Sequence, residues 1–222
     1  MVDKDERRIA MVMAAQEYII IHGLRGLKID VLAQAMGVSR AKLYQYFGSK
    51  TGVIQAVVAY YTDFIDQLEL PATGAAPTAF SQRFFDFFFE DMAYLGTTTP
   101  QLLSGLRAEY PELFLALNER LQTREQQERA YIQAGQAAGV FRAELLPDLV
   151  LLQNQRLIPA MVTREFRFKS RAQLPMIIRG YFDQLVATLL REPHQAAAKA
   201  SWDGQRIQRI NQKYARISLQ AT

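Results

Sequence analysis

Between Ser39 and Lys50 the chain reads SRAKLYQYFGSK, and within it Arg40, Lys42, Tyr44, Gln45, Tyr46 and Lys50 gather cations, phenols and an amide. Side chains of these types bind phosphates and base edges. Arginine reads the two acceptors of guanine, lysine does so less rigidly, and a residue as small as Ala41 lets a helix come close to a thymine methyl. Leu43 and Phe47 are four apart and take the inward side of a helix, which leaves the polar set outward. Just upstream, Leu32, Ala33 and Met36 form one apolar helix face, and Gly37 follows where a helix end favours a left-handed residue. Val38 plugs the turn, and the Ser39 hydroxyl is placed to cap the next helix. A short apolar helix, a glycine turn and a serine-capped polar helix make a helix-turn-helix, whose second helix fits a DNA major groove.

Other chemistry finds no support in the sequence. His22 and His194 sit far apart, each at the end of a predicted helix. No Ser/His/Asp order, HExxH or glycine-rich phosphate loop occurs. The chain has no cysteine, which excludes disulfides and thiolate metal sites and suits a reducing cytoplasm. Neither a catalytic residue, a metal site nor a cofactor is expected.

With these residues in view, the segment resembles the DNA-binding domain of the TetR family of transcriptional repressors. The matching positions are Ala15, Gly23, Leu32 with Ala33, Gly37 with Val38 and Ser39, Leu43 with Tyr44, Tyr46 with Phe47, and Lys50. The resemblance implies DNA contacts from Lys28, Ser39, Arg40, Ala41, Lys42, Tyr44, Gln45, Tyr46 and Lys50, with Tyr44, Tyr46 and Lys50 on phosphates. Two positions depart from the family. Lys28 replaces the threonine that usually caps the second helix, and Thr51-Gly52 replaces an acidic pair. A glycine in a first helical turn costs about 0.8–1 kcal/mol relative to alanine, so Gly52→Ala is expected to stabilise that turn.

The 222 residues suffice for one mid-sized domain or two smaller ones, and half are apolar. No apolar run is long enough to span a membrane, and the charged start MVDKDERRIAM has no signal-peptide core. The net charge of +4 is uneven: +3 over residues 1–50, −3 over 51–193 and +4 over 194–222. A basic head beside a mildly acidic body agrees with the motif.

Periodicity predicts an all-α chain, and the resemblance implies its division into an N-terminal three-helix helix-turn-helix domain plus a C-terminal helical ligand-binding and dimerisation domain. Residues 1–49 form the DNA-binding domain, 50–70 a connecting helix, 71–193 the effector-binding and dimerisation domain, and 194–222 a basic amphipathic tail. Ile9, Val12, Met13, Gln16 and Ile20 make the inner stripe of the first helix. LPATGAAPT ends the connecting helix, a phenylalanine-rich helix covers 80–95, and a long apolar one covers 172–191. In the tail, Ile207, Ile210, Tyr214 and Ile217 oppose Lys199, Arg206, Arg209, Lys213 and Arg216. That arrangement fits a helix packed on the body, or an arm reaching a partner.

Candidate effector contacts are Phe84, Phe88, Arg107, Tyr110, Tyr131, Gln153 and Asn154. Core packing competes for the phenylalanines and is favoured for most of them, while helix-joining ion pairs compete for Arg107 and Tyr110. Gln153 and Asn154 interrupt an apolar helix. If buried they need partners, which a ligand or a second subunit would supply. The helix over 172–191 is apolar on more than one side. The resemblance makes Leu174, Ile178, Tyr181, Phe182, Leu185 and Leu189 a homodimer interface.

The expectation is therefore a cytoplasmic, homodimeric DNA-binding regulator, a repressor released from a palindromic double-stranded DNA operator by a small apolar or aromatic effector. The alternatives are a DNA-binding regulator without a ligand switch, and a helical protein-interaction module.

Overall fold

The computed structural model describes residues 4–170 and 172–220, apart from the side chains of 164, 167 and 216–220. Among the described residues the regular elements are helices, and one isolated bridge joins Phe141 to Leu190. The chain forms two compact units.

The first unit holds α1 (Lys4–His22), α2 (Ile29–Ala35), α3 (Arg40–Phe47), α4 (Lys50–Asp66), α7 (Pro100–Glu109) and the first turns of α8 (Pro111–Ala137). Its core joins Val12, Ala15 and Ile19 of α1, Leu32 of α2, Leu43 of α3 and Val53, Val57 and Tyr61 of α4 to Leu102, Leu106 and Leu117. Those last three apolar residues are why the unit also takes in residues 98–121, which the sequence pattern grouped with the later domain. Helix α4 likewise lies wholly inside this unit. Ile9, expected in the inner stripe, stays 48% exposed on the rim of a groove lined also by Val12, Ala59 and Phe64.

The start of α4 overturns one expectation. Ser49 caps it, its Oγ accepting from the Gly52 N–H at 2.9 Å. A Cβ on Gly52 would lie 1.9 Å from the Phe47 carbonyl oxygen and 3.1 Å from its carbon. Gly52 is thus a close-approach glycine, and alanine there meets backbone instead of stiffening an idle turn.

The second unit holds α5 (Pro77–Gln82), α6 (Phe84–Leu95), the rest of α8, α9 (Pro147–Met161), α10 (Arg164–Ser170), α11 (Leu174–Leu189), α12 (Glu192–Ala200) and nearly all of α13 (Gly204–Gln220). The phenylalanine-rich segment is two helices, not one. Arg83 breaks it at φ −88°, ψ 0°, and its guanidinium donates to the Glu69 carbonyl at 2.9 Å. Phe80, Phe84, Phe85, Phe87 and Phe88 are all buried. Their rings meet Tyr131, Phe141, Phe182 and Trp202 at centroid distances of 5.2–6.5 Å within one aromatic cluster, which suits edge and offset packing.

The tail folds back as two helices. Asp203 caps the second by accepting from the N–H groups of Gln205 and Arg206. Ile207, Ile210 and Tyr214 are buried in the core of the second unit, as a body-packed helix requires. The expected roles of Ile217 and Arg216 fall on side chains outside the described residues.

Candidate nucleic-acid interface

The interface is built by a tight turn that fixes one helix on another. Gly37 adopts φ +64°, and the Val38 N–H donates to the Ala33 carbonyl at 3.0 Å, closing α2. Ser39 is extended, and its Oγ accepts from the Lys42 N–H at 3.2 Å, so the hydroxyl opens α3 as its type predicts. Leu43 is fully buried and roots α3 in the core. The opposite side of α3 faces water: Ser39, Arg40, Ala41, Tyr44 and Gln45 are exposed, and Lys42 and Tyr46 half-buried.

These side chains are ordered among themselves by weak contacts. Arg40 lies over the Tyr44 ring at 5.8 Å and pairs with Asp30 at 3.4 Å. Lys42 donates to Gln45 Oε1 at 3.0 Å and sits 5.3 Å from the Tyr46 ring. Exposed pairs of this kind are worth about 0–1 kcal/mol, so an incoming phosphate or base can displace them cheaply. Lys28 is exposed at the N-cap of α2 and makes no side-chain cap bond. Sequence matching could not foresee the surroundings of Lys50. Its ammonium donates to the Leu27 carbonyl at 2.9 Å, lies 3.9 Å from Glu109 and 6.0 Å from the Tyr110 ring. The lysine therefore ties α4 to the end of the α1–α2 loop and to α7. An ammonium has three donors, so one can still turn outward.

The effector candidates fall in both units. Arg107 and Tyr110 belong to the first, where Arg107 stacks over Phe114 at 4.6 Å and Tyr110 faces Lys50. Phe84, Phe88, Tyr131, Gln153 and Asn154 belong to the second. Phe84 and Phe88 are packed in the aromatic core, and the Tyr131 hydroxyl donates to the Phe80 carbonyl at 2.9 Å. Tyr131 also lines an open groove of about 430 Å³ with Leu68, Leu70, Pro71, Gln127 and Ala130. Asn154 is buried and finds its partners inside the chain, donating to Asp91 Oδ2 and accepting from the Tyr181 hydroxyl, both at 2.6 Å.

The proposed interface residues need correcting. Leu174, Ile178, Tyr181, Phe182, Leu185 and Leu189 are all buried within the single chain. The second side of α11 is covered by the chain's own α12 and by Trp202, 5.0 Å from Phe182, so these six have no surface left for a partner.

Sequence reasoning missed a buried polar cluster. Arg124 is fully buried. Its Nε donates to Glu128 at 2.8 Å, its Nη2 to Glu90 at 2.7 Å, and Tyr94 donates to Glu128 at 2.8 Å. Burial raises the Glu90 and Glu128 carboxyls above their ordinary range, against the pull of Arg124. The signals were present: adjacent acids inside FFDFFFEDM, and Arg124 and Glu128 four apart on one helix.

A basic, outward helix held by a capped turn, on a chain that is otherwise helical, defines a helix-turn-helix protein. The sequence pattern of bacterial regulatory proteins of the tetR family matches residues 12–57, the segment that holds the turn and α3. Over 60 residues it is 37% identical to the HTH-type transcriptional activator FasR of Mycolicibacterium smegmatis; the match spans 27% of that relative's length and 27% of this chain. In fold it is similar to the ketosteroid transcriptional regulator KstR2 of Mycobacterium tuberculosis, with a TM-score of 0.56 and 19% identity. That alignment covers 86% of this chain and 98% of the other. It is also similar to CprB of Streptomyces coelicolor, solved with its biological operator sequence, with a TM-score of 0.54 and 16% identity over 97% and 98% of the two chains.

Proposed function

We propose that this chain is a DNA-binding transcriptional regulator, not an enzyme, which reads an operator with α3. The observation that carries the reading is the outward face of α3: Arg40, Ala41, Tyr44 and Gln45 stand clear of the core on a helix fixed by Gly37 and Ser39. Arg40 and Lys42 lie near its N-terminal end, the end that meets base edges in this motif. Lys28 and Lys50 add cations beside it. The operator-bound state of CprB, which shares the fold, supports the reading.

A helix-turn-helix dimer reads two half-sites about 34–36 Å apart or a multiple of that, so the operator is a palindrome. The dimer surface is carried by the faces of α9 and α11 that the chain leaves uncovered. Leu149 is 60% exposed, Leu152 45% and Met176 67%, unusual for large apolar side chains unless a partner covers them. A small apolar or aromatic effector acts on the second unit, with Phe84, Phe88, Tyr131, Gln153 and Asn154 as its nearest candidates. The groove beside Tyr131 supports that placement. Such an effector releases DNA only by its differential affinity for the free and bound states. Repression is the first reading of the outcome. Activation is the second, because the curated relative matched over the DNA-binding domain is an activator. Among the described residues no helix is long and apolar enough to cross a membrane, which is consistent with work in the cytoplasm.

The test is a mobility shift of purified protein on duplexes selected from a random pool. Recovery of a common palindrome supports the reading. Uniform weak binding to every duplex points to the protein-interaction alternative.

A further inference from the structure

We propose that the second unit folds around a bound proton, held between the carboxyl groups of Asp91 on α6 and Glu128 on α8, which makes this cluster a pH-sensitive element of the fold.

Three carboxyl groups, Glu90, Asp91 and Glu128, share one guanidinium, Arg124. Arg124 points Nε at Glu128 and Nη2 at Glu90, and Nη1 reaches the Leu68 carbonyl at 3.4 Å. The Tyr94 hydroxyl goes to Glu128, and the Asn154 amide to Asp91 Oδ2. Asp91 Oδ1 is left buried with no donor, although the carboxyl adjoins Glu128 closely enough to hydrogen-bond with it. Two carboxylates offer each other only lone pairs. A single proton between them supplies the missing donor, satisfies Oδ1 and removes one of two like charges.

Among the described residues Arg124 is the cation bonded to these carboxyls, and Arg83 adds a pull on Glu90 from outside the cluster. From α6 the cluster is faced by Asp86, Glu90 and Tyr94, and from α8 by Arg124 and Glu128. Glu125 and Arg129 of α8 pair with each other and, outward, with Gln155 and Asp148. From α9 come Asn154 and Gln153, which carry no charge, and from α11 comes Tyr181, which donates to Asn154. Arg83 and Arg206 are both paired with Asp86. Lys213 of α13 and His194 of α12 are half-buried. Burial and the neighbouring Glu128 hold the Asp91 carboxyl well above its ordinary value of 3.8, in agreement with the donor count.

The sign follows from linkage. A carboxyl whose folded-state value is raised binds more protons folded than unfolded, so stability is full below the unfolded value and declines as pH rises towards the folded one. For one proton the folding constant falls by up to about tenfold per pH unit across that window.

Trp202 is the chain's single tryptophan and lies in this unit's aromatic core, so its fluorescence reports the unit. Urea unfolding is followed this way for wild type and Asp91→Asn between about pH 5 and pH 8. Asparagine mimics the protonated acid, donating to Glu128 and accepting from Asn154. The expected result is a folding constant that falls with pH in wild type more steeply than in Asp91→Asn, by up to about tenfold per unit. Parallel pH dependences for the two proteins would overturn the proposal. Should Asp91→Asn fail to fold, infrared spectra of the native protein decide. A protonated-carboxyl carbonyl band at neutral pH that lies outside bulk solvent exchange supports it, and absence of that band refutes it.

Discussion

Gly52→Ala is the sharpest test of the architecture beneath the recognition helix. The substitution adds one methyl group at the first turn of α4, where helix propensity alone favours alanine by about 0.8–1 kcal/mol. The structure reverses that preference. The new Cβ would sit 1.9 Å from the Phe47 carbonyl oxygen, where ordinary contact begins near 3.4 Å, so the two must separate by more than an ångström. The obstructing atom is backbone and is held on both sides. Phe47 ends α3, the Ser49 N–H donates to the same carbonyl at 2.8 Å, and Gly48 next to it adopts φ +71°. Forced repacking of this kind costs about 1–3 kcal/mol, which exceeds the propensity gain. The expected net effect is destabilisation by about 1–2 kcal/mol. Since the displaced carbonyl closes the recognition helix, operator binding should weaken as well. Urea unfolding followed by circular dichroism measures the first effect and a mobility shift the second. An alanine variant as stable as wild type, or more so, would refute the close-approach argument and restore the reading of Gly52 as an idle turn residue.

Further outcomes follow from the same geometry. Arg40→Ala and Lys42→Ala should each weaken operator binding by about 1–3 kcal/mol and relax sequence preference; unchanged selection profiles would remove these residues from base reading. Arg124→Met should destabilise the second unit by about 3–5 kcal/mol, because Glu90 and Glu128 would remain buried without their cation, and a smaller drop in Trp202-monitored stability would show that water reaches the cluster. Leu152→Glu and Met176→Glu should give folded monomers in sedimentation, whereas Leu185→Glu, which puts an unpaired charge in the core, should give unfolded protein; an unchanged dimer in both exposed-face variants places the interface elsewhere.

What the sequence made legible was local. The Gly37 turn, the Ser39 cap and the inward Leu43 all depend on neighbours within a few residues, and all stand where periodicity and residue type put them. The unreadable features depend on distant partners. Lys50 bonds to a carbonyl 23 residues away, and Asn154 to a carboxylate 63 residues away. The cost of an alanine at Gly52 is set by where the Phe47 carbonyl points, which no propensity encodes. On α11 the apolar surplus was real, but its covering came from Trp202 and α12 of the same chain instead of a second subunit. An apolar face announces that something must cover it and leaves open what does.

Whether α3 reads a two-fold DNA site is decided by selection from a random duplex pool, followed by binding of the recovered sequence across a salt series. The expected result is one recurring inverted repeat with half-site centres about 34–36 Å apart or a multiple, and an affinity that falls with salt by a log–log slope of roughly 0.9 per phosphate contact. Recovery of no common sequence, or equal affinity for recovered and scrambled duplexes at every salt concentration, would contradict it.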